Sequence, residues 1–578
     1  MKIRNTVAAI VIILILAATA YGAQWLTLLG WNAVVQYPSP YARPLPFGPG
    51  GQAIAERVVL VVVDGLRVDR AEQLPVLNRL RAQGASVVSW TGEPSLSDPG
   101  WTAIVSGASP EVSGVTTNWY DGTVAVDTLF AAAKRADLTT AVAGSPGWAE
   151  LFGPALDEQV LVGDPPGDAP AEALYRVTAE VADGAAGILQ RGDARLVVVH
   201  VPSVDLAGHR FGGASDEYAA AARRADAHLG SLLLSVDLTR DTVIVTSDHG
   251  HLDRGGHGGW EPVVKRTPLV LAGRGIRAAS DLADVRQIDI APTIAVLLGI
   301  SIPAHSQGRP LVEVLDADPA AFGPRWIEQQ RFFYRGAAGV LGSEGPAKVA
   351  ADPENSAALA AGGADFILGL SDDLARTYFL AREQRLADQR RQRLPAAAAA
   401  AAVPLIAVIW VLRRRLLGPA LAGAAAFFVI DYALFFGRGG TFSLSIFNSE
   451  AQILAFFNQR LIDASVAAAV AGLIAGMLAA RRAPADAFLG ALGTAWLAAY
   501  VIVLQVVYFY WQWDVRFTWY LPDLRLGFKY YLDLLMLVPL GFLATLYGAV
   551  GLLGRWPVRL VLSARASRRA VSSEPARS

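Results

Sequence analysis

The sequence contains no cysteine in 578 residues. Disulfides, thiolate metal sites and cysteine nucleophiles are therefore excluded. Charge is also scarce. Asp, Glu, Lys and Arg make up 17% of the chain, against about 25% in an average soluble protein. Neither sign dominates, with 50 basic and 51 acidic residues and a formal net charge of -1. A nucleic-acid binder needs a basic excess to neutralise phosphates, so no nucleic-acid partner is expected. Histidine is sparse, at seven residues. Any metal centre must draw on Asp, Glu, His or hydroxyl oxygen, and the placement of those few histidines is informative.

Apolar residues are what the chain has in abundance. They form 53% of it, with a mean hydropathy of +0.36, which excludes a disordered polymer. They are unevenly spread. One run covers about 6–26, and five more cover about 395–412, 417–436, 462–480, 486–507 and 531–553. Each is near the roughly 20 residues that a bilayer core requires. Between about 32 and 393 no run is long enough.

Basic residues orient these spans. Lys2 and Arg4 precede the first run, and Arg413–Arg415 follow the second. Arg481 and Arg482 follow the fourth, and Arg555, Arg559, Arg565, Arg568 and Arg569 follow the sixth. The positive-inside rule puts all four sets in the cytoplasm if both termini lie there. The expectation is a six-span integral membrane protein with an extracytoplasmic middle region. Arg382, Arg385, Arg390, Arg391 and Arg393 fall on the outer side, where they read as a solvated helix face. A cleaved signal peptide is the alternative for the first run, and it exports the same region. The expected division is an anchor at 1–30, a catalytic domain at 31–385, a transmembrane domain at 386–555 and a basic cytoplasmic tail at 556–578.

The middle region reads as α/β. Short β-branched runs at Val58–Val63, Thr139–Ala143, Leu196–Val201, Thr242–Thr246 and Leu269–Leu271 suit strands buried on both faces of a mostly parallel sheet. Helices are expected at 72–83, 99–106, 169–190, 215–235 and 290–298. Ligands of such sheets bind at the carboxyl ends of the strands. Asp64 ends the first strand run, and Asp205 and His209 follow Val201 at i, i+4 spacing. Asp248, His249 and His251 follow Thr246, with His257 in the next Gly-rich loop. Singly, each has a bland reading as a turn or packing residue. Together, the three carboxylates and three of the four imidazoles suit two divalent ions with open positions. Ser97 precedes Pro99 at an expected helix N-terminus, where a nucleophile and an anion are both favoured. Spacing alone leaves an N-cap as the alternative.

Taken together these segments resemble the alkaline phosphatase superfamily. The nearest groups are the type I phosphodiesterase/nucleotide pyrophosphatases and the GPI ethanolamine phosphate transferases. The resemblance covers about Val58 to Leu311. It implies an alkaline-phosphatase-like sheet flanked by helices, joined here to a helical transmembrane bundle. Ser97 is the fourth residue of the segment Pro94-Ser-Leu-Ser97-Asp-Pro99, the family's nucleophile position. Asn118, in Val-Thr-Thr-Asn-Trp, inherits the phosphoryl-binding role. Asp64, Ser97, Asp248 and His249 would hold one ion, and Asp205, His209 and His257 the other, with zinc expected and manganese the alternative. Leu96 replaces a frequent Lys of the phosphodiesterases, and Gly100-Trp101 replaces the His or Asn of several relatives, so both bear on the substrate.

The resemblance implies a membrane-bound phosphodiesterase acting through a covalent phosphoserine. The alternative within the family is a phosphoethanolamine-type transferase acting on a lipid or glycan. A non-catalytic transport or assembly protein is the further alternative. The aromatic loop Thr441–Leu461 and the cluster Tyr508–Tyr520 fall on the catalytic side of the expected topology, which suits either a lipid-linked phosphodiester or simple anchoring at the membrane interface. Asp431, inside a span, is a functional candidate by the usual cost of an intramembrane carboxylate, with a side chain that simply reaches the outer interface as the alternative.

Overall fold

The computed structural model describes residues 2–166, 169–279, 282–345, 348, 363–411 and 416–572. The β-branched runs form one sheet of eight strands. They are β1 (Arg57–Val63), β2 (Ala85–Trp90), β3 (Thr139–Gly144), β4 (Glu158–Leu161), β5 (Ala194–Val201), β6 (Asp241–Thr246), β7 (Arg266–Gly273) and β8 (Val285–Arg286). Their order is β4-β3-β5-β1-β6-β7-β2-β8. Seven strands share one direction, and β7 runs antiparallel to both its neighbours. The sheet is thus mixed, as a mostly parallel sheet with one reversed strand.

β1 lies at the centre, between β5 and β6. Alternate residues feed two cores, as the pleat requires. Val58, Leu60 and Val62 pack with the helices Ser97–Ser106 and Ile290–Leu298. Val59, Val61 and Val63 pack with Ala171–Arg191 and Asp216–Leu232. The helix Ala171–Arg191 carries its buried residues at Leu174, Val177, Thr178, Val181, Ala185 and Ile188, the three-to-four spacing of one helical face. It stops at Gly192, whose φ of 78° suits a residue without a Cβ. The helix Asp216–Leu232 starts where Ser215 Oγ accepts from the Tyr218 amide at 3.1 Å.

Several of the remaining long helices are apolar. Among the described residues, four are long and apolar enough to cross a membrane: Asn5–Val35, Leu417–Gly437, Ala451–Leu478 and Pro484–Trp513. A fifth crossing arises if Leu524–Phe542 and Ala544–Ser567, bent by 66°, count as one span. The expected run 531–553 therefore straddles a break. The expected run 395–412 continues a single helix, Ala364–Val411, and the side chains of 406–415 lie outside the described residues. Pro484–Trp513 is the most enclosed helix of the bundle. Lys2–Val35 packs on Leu524–Phe542, where a Cβ on Gly541 would meet the Leu16 carbonyl at 2.2 Å. Small residues permit such backbone approach, which is how helices pack in lipid.

Glu111 ties the two halves together. Its carboxylate accepts from Arg382 at 2.9 Å, on the long helix, and from the Leu521 amide at 3.0 Å, in a loop of the bundle.

Candidate metal centre and its membrane-facing cavity

The strand ends deliver the acids and histidines to one place. Asp64 follows β1, and Asp248 and His249 follow β6. Asp205 and His209 sit on the helix Ser203–Phe211, directly after β5. The ligand atoms of Asp205, His209, His251 and His257 lie within 4.8 Å of one another, as do those of Asp64, Asp205 and His249. Asp248 Oδ2 lies 3.5 Å from His249 Nε2. Ser97 is the first residue of the helix Ser97–Ser106, with its Oγ 3.3 Å from His249 Nε2. Asn118 Oδ1 accepts from the Asp98 amide at 3.1 Å, which brings this carboxamide to the start of the same helix. All the residues expected from sequence thus share one site.

Hydrogen bonds orient the imidazoles. His257 Nδ1 faces the Ser95 carbonyl at 3.0 Å, and His249 Nδ1 faces the Gly250 carbonyl at 3.2 Å. His209 Nδ1 faces Asn448 Oδ1 at 3.2 Å. A proton on each Nδ1 satisfies these acceptors and directs each Nε2 inward. The Nε2 atoms of His209 and His257 stand 3.1 Å apart. Burial disfavours a charged His209, but the neighbouring Asp205 outweighs it and pushes this imidazole up to about 9.

That arrangement fits cations. Asp64 Oδ1 and Asp248 Oδ2 are buried with no hydrogen-bond partner among the described residues. Burial, then repulsion from Asp248 and Asp205, pushes Asp64 well above the ordinary carboxyl range. Burial also raises Asp248. Burial opposes ionisation of Asp205, but His209 and His251 outweigh it and hold this carboxyl well below its usual value. Burial pushes His257 well below the usual imidazole value. Unpaired buried carboxyl oxygens facing imidazole nitrogens are a donor set for divalent ions. These residues provide oxygen and nitrogen ligands only, in line with the absence of cysteine.

Two contributors, His200 and Asn448, escape sequence reading, and further neighbours shape the site. His200, on β5, reaches Asp64 Oδ2 at 2.8 Å and is itself fully enclosed. Trp101 packs edge-on against its ring at 4.6 Å. Gly100 allows the Ser97 helix to approach, because a Cβ there would meet Asp248 Cβ at 2.9 Å. His251 Nε2 lies 2.6 Å from Asp205 Oδ1, and Gly208 leaves room for its ring. Asn448 comes from the membrane half, 239 positions beyond His209. The Gly-rich spacing of 248–257 flags His251. Nothing local flags His200, which sits in a strand of valines, or Asn448.

The loop that carries Asn448 docks under the site. The Gly259 amide donates to Ser445 Oγ at 2.9 Å, and Ser445 Oγ donates to Glu261 at 2.8 Å. A largely apolar cavity of about 480 Å³ extends from His209, His257 and Leu96 to Trp31, Phe457 and Tyr531 on the bundle helices. Trp31 bridges its walls, with ring centroids 5.3 Å from Trp119 and 6.2 Å from Tyr531.

Residues 58–257 match the family described as Type I phosphodiesterase / nucleotide pyrophosphatase. Among curated proteins, the chain is 26% identical over 337 residues to GPI ethanolamine phosphate transferase 1 of Emericella nidulans, covering 47% of this chain and 35% of that protein. The Neurospora crassa protein of the same name is 29% identical over 337 residues, covering 47% and 33%. The Homo sapiens one is 26% identical over 320 residues, covering 47% and 33%. The matches span about a third of the length of these relatives. Among solved structures, the alkaline phosphatase PafA aligns with a TM-score of 0.39 at 13% identity, over 47% of this chain and all of that one. The C-terminal periplasmic domain of EcEptC from Escherichia coli, in complex with Zn, aligns with a TM-score of 0.35 at 15% identity, over 45% and 87%. The stretch from β1 through the loop of His257 thus matches the type I phosphodiesterase/nucleotide pyrophosphatase family, in a chain whose sequence is similar to the GPI ethanolamine phosphate transferases over 47% of its length.

Proposed function

We propose that the protein is a membrane-bound, metal-dependent enzyme that moves the phosphate-containing headgroup of a lipid phosphodiester through Ser97. The observation that carries this reading is the apolar cavity joining the metal-ligating histidines to the bundle helices. A soluble phosphodiester has no use for such a passage. A lipid would lay its phosphate at Ser97 and its chains along Trp31, Phe457 and Tyr531. The curated relatives are named as ethanolamine phosphate transferases, which favours a phosphoethanolamine-type headgroup and a hydroxyl acceptor over simple hydrolysis.

Asp64, Asp248, His249 and Ser97 would hold one ion, and Asp205, His209 and His257 the other. His251 and His200 would fix the two carboxylates that they touch. Divalent ions would supply the charge that ionises a hydroxyl near neutral pH and neutralises the phosphoryl oxygens. Zinc is the proposed metal, because three imidazole nitrogens and three carboxylates suit it.

Ser97 stands at a helix N-terminus, whose free amides favour an anion. Its Oγ attacks phosphorus, forming an O–P bond as the bond to the lipid alcohol breaks. The Oγ proton passes to solvent and the departing oxygen takes one up. An acceptor hydroxyl then attacks the same phosphorus, and Oγ leaves and recovers a proton. Asn118 orients the non-bridging oxygens from its place beside Asp98.

The membrane arrangement proposed is a catalytic domain outside the cytoplasm. The helix Glu450–Leu478 begins beside Asn448, under the site. It runs about 42 Å to its far end at 1.5 Å per residue. There Arg555 donates to the Arg482 carbonyl at 2.7 Å. The basic end therefore lies opposite the metal centre, the orientation that the positive-inside rule prefers.

The test is turnover by purified, metal-replete, full-length protein. Phosphatidylethanolamine in mixed micelles is compared with a soluble diester bearing the same headgroup. Faster headgroup transfer from the lipid, abolished in Ser97→Ala, is expected. Equal rates on both substrates would remove the role of the cavity.

A further inference from the structure

Asn448 is also a wall of a second cavity, of about 400 Å³. It opens between Arg254–Gly255 of the catalytic domain and the facing ends of the helices Leu417–Gly437 and Glu450–Leu478. Its character is unlike that of the apolar passage. Arg254, Arg438 and Arg460 line it, together with Gln452, Gln459 and Asp463.

The charges do not cancel. Arg438 pairs with Asp463, and Arg460 pairs with Asp431 at 3.0 Å. Arg254 donates to the Gly439 carbonyl at 2.8 Å and has no acidic partner among the described residues. Three guanidinium groups against two carboxylates leave one positive charge. Arg460 is only 3% exposed, yet its Nε and Nη1 have no hydrogen-bond partner among the described residues. Buried charged donors left without a partner are costly, so an acceptor in this pocket would be strongly favoured. Planar guanidinium forks match the oxygens of phosphate in pairs, and the two carboxamides add donors.

We propose that this pocket binds the phosphate group of a second, phosphate-bearing molecule, separate from the phosphodiester that reacts at Ser97. Its position gives it a role. Asn448 lines both cavities and holds His209, so a ligand here lies one residue away from the metal centre. On the functional reading above, it is the second substrate, anchored by its own phosphate while its hydroxyl approaches the transferred group. Binding itself does not depend on that reading.

The experiment titrates full-length Ser97→Ala protein, which lacks the proposed nucleophile, by calorimetry. The ligands are inorganic phosphate and dihexanoyl phosphatidylglycerol. The same titrations are run with Arg254→Gln and Arg438→Gln added. The metal centre is common to both proteins, so the difference reports the pocket. A binding event weakened at least about tenfold in the arginine variant is expected, the scale of one charge-assisted hydrogen bond. Weakening for both ligands assigns recognition to phosphate itself, and weakening for the lipid alone assigns it to a lipid headgroup. Equal affinities in proteins that melt at the same temperature overturn the proposal. If the double variant does not fold, Arg254→Gln alone decides, because its side chain is on the surface: unchanged affinity overturns the pocket. Because turnover is not measured, failure here leaves the role of Ser97 standing.

Discussion

At the residue scale, the site works by fixing what each buried polar atom can do. Asp205 is the shared acid, with His251 Nε2 at 2.6 Å and His209 Nε2 at 3.3 Å. Replacing His251 by Ala leaves Asp205 unoriented. Metal affinity should fall about 10–100-fold, the usual cost of losing a group that orients a ligand. Competition with a chromophoric chelator measures it, and unchanged affinity would make His251 a packing residue. Asn448→Ala should act similarly, since His209 loses the acceptor that directs its Nε2 inward. The chelator assay should register a loss of one ion and retention of the other. Sequence placed the acids and most of the histidines because they follow strands, where residue type is dictated by the open end of a sheet. His200 was illegible because its strand position, Val199-His200-Val201, looks like core. Asn448 was illegible because its partner is distant in the chain, and only tertiary packing joins them.

At the element scale, long buried runs were readable and short or partner-dependent ones were not. β1, β3, β5, β6 and β7 announce themselves by β-branched residues. β2 alternates buried and half-buried positions with two serines, and β8 has two residues. They exist because a neighbour supplies hydrogen bonds. The helix Ser203–Phe211 hides behind its own functional residues, which break the apolar pattern. In the bundle, the expected last span is two helices meeting at 66°. The N-terminal helix joins this pair through small residues. Gly541→Val should force it away from Leu16 and destabilise the protein by about 1–3 kcal/mol, as overpacking does. A thermal melt of detergent-solubilised protein would show the loss, and an unchanged midpoint would show that the contact yields freely.

At the scale of the whole molecule, two chemistries meet at one seam. A sheet whose strand ends carry the acid and histidine cluster sits on a helical bundle, and the loop of Ser445 and Asn448 closes the joint. The absence of native cysteine makes the orientation testable without background. Glu172→Cys, on the catalytic domain, should react with an impermeant maleimide in intact cells. Ser563→Cys, on the last helix, should react only after permeabilisation. The reverse pattern would invert the proposed topology. The central claim is that Ser97 takes up a lipid headgroup phosphate with the help of divalent ions. The most direct measurement is mass spectrometry of the Ser97 peptide after brief exposure of metal-replete protein to phosphatidylethanolamine. A phosphoethanolamine adduct on Ser97, absent after chelation, is predicted. Headgroup turnover with no adduct on Ser97, or an adduct on another residue, would contradict it.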